Sequence, residues 1–167
     1  MYRKLDDAMH GLGETRKAAL KLFGALTDES LNQRVADGFR SIGEIAWHIV
    51  TAYPEMMNRT GLELKSIEVN SPVPQAAAEI VAGYDKASAE LQAQLQEKWD
   101  DATLAVVDDM YGEQWPRGVS LIILCNHELY HLGQITVLMR QAGLKVPGIM
   151  GPAKEEWEQY GMAAPEY

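Results

Sequence analysis

The chain has 167 residues, 47% of them hydrophobic and 23% charged, and its 15 Lys plus Arg against 24 Asp plus Glu give a formal net charge of −9. A length of this order predicts one domain, residues 1–167, that buries roughly 70% of its extended-chain surface and needs no disulfide or metal staple to hold a core. No apolar run approaches the ~20 residues of a membrane span, and neither the net charge nor any Lys/Arg cluster suits a nucleic-acid partner.

The opening MYRKLDDAMHGLGETRK lacks the apolar stretch and small-residue cleavage site of a secretory signal, and a lone cysteine, Cys125, has no internal disulfide partner. Both predict a cytoplasmic protein. From Arg3 to Leu26, apolar residues at Leu5, Met9, Leu12, Ala19, Leu20, Phe23 and Leu26 recur every three or four positions, which predicts an amphipathic helix weakened in its first half by Gly11 and Gly13. LTDESLNQR then reads as a connection. Ser41 with Glu44 three positions on is a capping box before the run Ile42, Ile45, Ala46, Ile49, Tyr53, Met56, so a second helix is expected over Ser41 to Arg59. Gly61 stops it, and ELKSIEVNSPVP, held extended by its two prolines, predicts a long crossover loop.

A third helix is expected from Pro74 to about Trp99, where Ala, Glu, Gln and Leu dominate and Ile80, Tyr84, Ala87, Leu91 and Leu95 share a side. Asp100 to Gly118 reads either as a short strand or as a loop over the bundle. After Pro116 and Gly118, VSLIILCNHELYHLGQITVLMRQAGL is a fourth helix ending at Gly143, apolar on more than one side and so deeply buried or shared with a partner chain. A short C-terminal helix is expected over Ala153 to Gln159. Four long helices without a convincing sheet predict an all-α four-helix bundle.

His127 and His131 stand four apart on the fourth helix, expected to be the most buried, about 40° apart on its wheel, on a stripe with Leu124, Gln134 and Leu138 that is expected to point into the bundle. Stacked buried imidazoles without a counter-charge are costly to satisfy except as ligands of a shared divalent ion; the bland alternative is a pair of hydrogen-bonded core histidines. His48, at the edge of the second helix's apolar face, is the candidate third ligand. Three neutral nitrogens with open positions suit zinc, nickel or another borderline ion. Glu44 and Glu55 read as surface carboxylates, with acceptors behind the ligands as the alternative, and Trp47, Tyr53, Trp115 and Tyr130 are candidates either for a pocket wall or for plain core or interface.

The string His-Glu-Leu-Tyr-His also matches the zinc-peptidase pattern, with Glu128 as general base. The extended form of that pattern fails, because Gly133 comes too early and Val137 stands where a third histidine is required. A downstream ligand at Glu155 or Glu156 would lie beyond Pro147, Gly148, Gly151 and Pro152, in a tail that does not continue the helix. Cys125 lies about 160° around the wheel from His127 and reads as a buried apolar side chain, and His10 reads as surface or boundary.

TDESLN, SIGEIAWHIV and HELYHLGQITVLMRQAGLKVPG together resemble the DinB/YfiT-like metalloproteins, which are four-helix bundles, and with the helix order the resemblance spans nearly the whole chain. It implies a divalent metal on His48, His127 and His131, with Leu132 standing where many relatives carry a basic residue. It further implies a homodimer and, for the relatives with a known reaction, transferase or isomerase chemistry through a low-molecular-weight thiol such as bacillithiol, mycothiol or glutathione. The expectation is a metal-dependent enzyme that activates a thiol, or water as a hydrolase, against a small-molecule substrate. The alternatives are a non-catalytic metal- or ligand-binding stress-response protein, a metallopeptidase and a purely structural bundle. Glu128 is the weak candidate for a catalytic base.

Overall fold

The computed structural model describes residues 1–166, in which four α-helices pack around one hydrophobic core: α1 (Leu5–Phe23), α2 (Ile42–Met57), α3 (Ala77–Lys98) and α4 (Arg117–Gln141). A two-stranded antiparallel hairpin, β1 (Val107–Met110) and β2 (Glu113–Pro116), sits between α3 and α4. The all-α bundle is therefore as expected, with a small sheet added where strand and loop were both open. Among the described residues, no helix is long and apolar enough to cross a membrane.

α1 runs unbroken through Gly11 and Gly13. Gly11 has a packing reason to be there: a Cβ at this position would come 2.2 Å from the Tyr2 hydroxyl, so glycine lets the N-terminal residues lie against the helix. α2 starts at the expected capping box, in which Ser41 Oγ accepts from the Glu44 amide at 3.3 Å and Glu44 Oε2 accepts from the Ser41 amide at 2.6 Å. Gly61 follows the last turn in the left-handed conformation, with φ 79°. The crossover from α2 to α3 is pinned by side chains of α3, since Gln94 bonds both the amide and the carbonyl of Glu63 and Glu90 accepts from the amides of Lys65 and Ser66. Trp47 of α2 holds its other end by donating from Nε1 to the Ser71 carbonyl at 3.2 Å.

Several boundaries differ from the sequence reading. α3 begins at Ala77 because Pro72 and Pro74 keep the preceding chain extended. α4 begins at Arg117 and takes in Gly118, with Pro116 as its N-cap. The expected C-terminal helix is a 3₁₀ stretch over Lys154–Tyr160. α4 is not apolar all round: Asn126, Tyr130, Gly133, Val137 and Arg140 form an exposed stripe, while Leu121, Leu124, Leu132, Ile135 and Met139 enter the core.

The capping box secures the helix that carries His48. Ser41→Ala is expected to lower the free energy of unfolding by about 1 kcal/mol, read as a lower urea midpoint at unchanged slope. An unaltered midpoint would show that the cap contributes nothing.

Candidate metal centre

α2 and α4 pack side by side, and three imidazoles meet along their seam. His127 Nε2 lies 3.1 Å from His48 Nε2 and 3.2 Å from His131 Nε2. The rings stand nearly perpendicular to one another, at 74° to 88°, so three nitrogen edges converge without the rings stacking. Three nitrogens about 2.1 Å from a common ion would lie about 3.0 Å apart at right angles and about 3.4 Å apart in a tetrahedron. The two measured separations fall between those limits, so the donor set fits a divalent ion.

Electrostatics favour the ligand form of the rings. Burial first, then the Arg40 charge and the neighbouring imidazoles, together hold the His48 pKa down to about 4. Burial likewise lowers that of His127, followed by His131 and Arg40. Neutral imidazole is the form that coordinates. His131 Nδ1 lies 2.9 Å from Gln134 Oε1, an atom that can only accept, so Nδ1 carries the proton and the Nε2 lone pair faces the other two rings. Gln134 was placed on the histidine stripe by its spacing, but its role in setting this tautomer is a finding of the structure.

The stripe does not aim at the centre of the bundle. His48 and His127 are half-buried and His131 is only 8% exposed, so the cluster sits at the rim, open to a cleft on each side. One cleft, of about 440 Å³, is bounded by His48, His127, Thr51, Glu55, Tyr111 and Trp115. The other, of about 510 Å³, is bounded by His131, Gln134, Arg40, Phe39, Tyr130 and Val137.

The residue of α4 that does face the core is Glu128, 1% exposed. Its Oε2 accepts from the Tyr53 hydroxyl at 2.8 Å and its Oε1 from the Tyr84 hydroxyl at 2.5 Å. The two tyrosine oxygens are themselves 3.2 Å apart. Burial pushes the Glu128 pKa up to about 7 against the opposing effect of the two donors, and it raises those of Tyr53 and Tyr84 as well. Glu128 thus lies outside the cluster of ligand atoms. The reason is geometric: the next residue on a helix is about 100° around the axis, and that rotation turns Glu128 away from His127's partners and toward α3. A base beside the ion, as the peptidase pattern needs, is not what this carboxylate forms.

Other candidates are sorted by their contacts. Glu44 is committed to the capping box and is not an acceptor for the ligands. Glu55 borders the His48 cleft, where it bonds Arg59 and accepts from the Tyr111 hydroxyl. Trp115 and Tyr130 line the clefts, whereas Trp47 and Tyr53 are core. Glu155 pairs with Arg140 and Glu156 with Lys21, so neither serves the cluster. His10 is exposed and Cys125 is buried, as expected.

Tyr111 had not been singled out from the sequence. It opens the two-residue turn of the hairpin with φ 63°, followed by Gly112 at φ 87°, the two left-handed positions of a type I′ turn. A tyrosine there costs roughly 1–2 kcal/mol relative to the usual right-handed conformations. Its hydroxyl on Glu55 and the Arg59 guanidinium 4.5 Å above its ring offset that cost and fix the aromatic side chain at the cleft mouth.

A helical bundle with three histidines gathered from two neighbouring helices at its rim is the class of protein that fold and site define. The DinB family model matches residues 1–165, and the chain belongs to the DinB family. It is 41% identical over 166 residues to the uncharacterized protein YrdA of Bacillus subtilis (strain 168), covering 99% of both chains. A crystal structure of a DinB-like protein from Bacillus cereus ATCC 10987 superposes with a TM-score of 0.86 at 40% identity, over 89% of this chain and 99% of that one. The DinB-like protein YjoA of Bacillus subtilis shares the fold, with a TM-score of 0.65 at 16% identity over 86% of this chain and 97% of its own.

The buried carboxylate makes a pH prediction. A carboxyl whose folded pKa is raised from 4.5 to about 7 contributes stability that is complete below pH 4.5 and lost as the pH rises to 7. In metal-free protein, the stability of wild type relative to Glu128→Gln is expected to fall by about 3 kcal/mol across that window and to level off above it. Urea unfolding at stepped pH checks this. A difference that does not change with pH would place an ionised Glu128 in the core throughout.

Proposed function

We propose that the protein is a metal-dependent enzyme in which His48, His127 and His131 hold one divalent ion, with zinc or nickel the best match to an all-nitrogen donor set, and in which a small thiol or water is the activated nucleophile. The observation that carries this reading is the convergence of three imidazole nitrogens at a rim with a cleft on each side. Three histidines brought edge to edge without a carboxylate partner are better satisfied by a shared ion than by one another, because three Nε2 atoms facing a common point cannot all be donor and acceptor to each other at once.

Bound there, the ion would supply Lewis acidity, lowering the pKa of a thiol or water so that the anionic nucleophile is present at neutral pH. The chain's own residues do the rest. Gln134 keeps the proton of His131 on Nδ1. Glu128, sequestered with Tyr53 and Tyr84, holds α4 in the rotation that presents His127 and His131 together. The clefts, each within the ~300–1,000 Å³ of small-molecule pockets, give a thiol and an electrophile separate approaches to the same three nitrogens. The resemblance to thiol-using relatives favours a transferase or isomerase over a hydrolase.

The test is metal content of tag-free protein by mass spectrometry, beside a His127→Ala, His131→Ala double variant. About one ion per chain is expected in wild type and almost none in the variant, followed by turnover in a screen of thiols against electrophiles that chelation abolishes. Wild type that takes up no zinc, nickel or manganese would overturn the reading. Tight metal binding with no rate above the metal-free control would leave a metal-binding protein without a reaction.

A further inference from the structure

The two clefts beside the histidines differ in their charged groups: a paired carboxylate on one and an unpaired guanidinium on the other. Glu55 borders one and Arg40 the other. Glu55 is already engaged by Arg59 and Tyr111, whereas Arg40 has no ion-pair partner among the described residues, although its neighbour Arg34 reaches Glu44 and the chain as a whole has an excess of carboxylates. An arginine left unpaired in so acidic a chain has its N–H donors free for an anion.

Its surroundings are apolar. Val35, Phe39, Tyr130 and Val137 line the same cleft and are 56% to 66% exposed, which gathers four of the protein's large exposed hydrophobics at one place. Scattered apolar residues on a surface need no explanation, but a group of them around one concave site marks a binding surface. The floor is made by His131 and Gln134. A ligand that satisfies all of these has an apolar body, an anionic group at one end and its remaining end near the histidine nitrogens.

We propose that the cleft between the Val35–Arg40 loop and α4 binds an amphipathic organic monoanion, its carboxylate or equivalent group on Arg40 and its apolar body on Phe39, Tyr130 and Val137. This rests on the metal-site reading only for the role of the ligand as a reactant; the binding itself uses Arg40 and the apolar walls. The unpaired guanidinium decides the side: Arg40 has donors to spare for an anion, whereas the Arg59 guanidinium beside the other cleft is already spent on Glu55. A volume of about 510 Å³ suits a molecule of small-substrate size.

The probe is decanoate, with decanol as its uncharged counterpart, titrated calorimetrically into the full-length protein as purified and after chelation. Chelation matters because a carboxylate can also bind a metal. Decanoate is expected to bind the metal-free protein about tenfold more tightly than decanol. Arg40→Gln should remove that advantage and leave decanol unchanged, while Lys86→Gln, a charge lost from the exposed side of α3 away from the cleft, should change neither. Val137→Asn should weaken both probes. Equal affinity for the two probes, or a decanoate affinity indifferent to Arg40→Gln, would overturn the proposal. So would sedimentation showing that the surface is covered by a second copy of the chain, with Val137→Asn dissociating a dimer that excludes decanoate. Metal analysis of the same samples separates this proposal from the reading it extends. Arg40-dependent binding in protein that never takes up metal supports the anion site while overturning the metal centre. Metal-loaded protein without Arg40 dependence overturns the anion site alone.

Discussion

The rotation of α4 about its own axis is the constraint on which the rest of the site depends. Glu128 and His127 are neighbours in the chain, and an α-helix sends their side chains about 100° apart. A carboxylate 1% exposed must find donors, and Tyr53 and Tyr84 are the donors that reach it, one from α2 and one from α3. Those bonds act with the buried apolar face of α4, from Leu121 to Met139, to set one orientation, and in it His127 and His131 face His48 across the seam. Turning the helix by one residue would bury a carboxylate without donors, at a cost of several kcal/mol. The inner polar cluster thus aims the outer one, and the two together hold three of the four helices in register.

The parts of the site differ in how firmly they are built. The three histidines and Gln134 stand on long helices, whose backbones are fixed by their own hydrogen bonds and by the core beneath them. The walls of the clefts come from connections: the Val35–Arg40 loop on one side and the hairpin tip with Tyr111 on the other. This division places the clustered nitrogens on the rigid frame and the cleft walls on segments whose composition can change without disturbing the bundle. Tyr111 shows the second half of that arrangement. Its left-handed backbone is tolerable only because Glu55 and Arg59 of α2 and its following turn hold the side chain from below.

How much of this was legible in the sequence follows from the range of each signal. The helices, the capping box at Ser41 and the i, i+4 pairing of His127 with His131 are local, written within a few residues, and they appear where the periodicity puts them. The hairpin was ambiguous because Val107, Asp108, Asp109 and Met110 do not alternate cleanly, so a short strand and a loop leave the same trace. Glu44 had two readings, cap and ligand acceptor, and the cap prevails because its backbone partner is three residues away while the histidines are not within its reach. Glu128 was the least legible. The His-Glu-x-x-His spacing suggests a carboxylate beside the metal, and only the positions of Tyr53 and Tyr84, 75 and 44 residues away, show that it belongs to the core.

By itself, then, the sequence determined an acidic all-α bundle, the family to which it belongs and the identity of the three histidines, because helical periodicity and short motifs depend on neighbours along the chain. The tertiary structure alone decided which face of α4 carries the histidines to the rim, that Gln134 meets His131 Nδ1, what Glu128 does, and that a paired Glu55 borders one cleft and an unpaired Arg40 the other. Those properties depend on groups brought together by the packing of separate helices and loops. A one-dimensional pattern records which residues are available for such meetings, but the free energy that selects among them comes from burial and from satisfying every buried donor and acceptor at once.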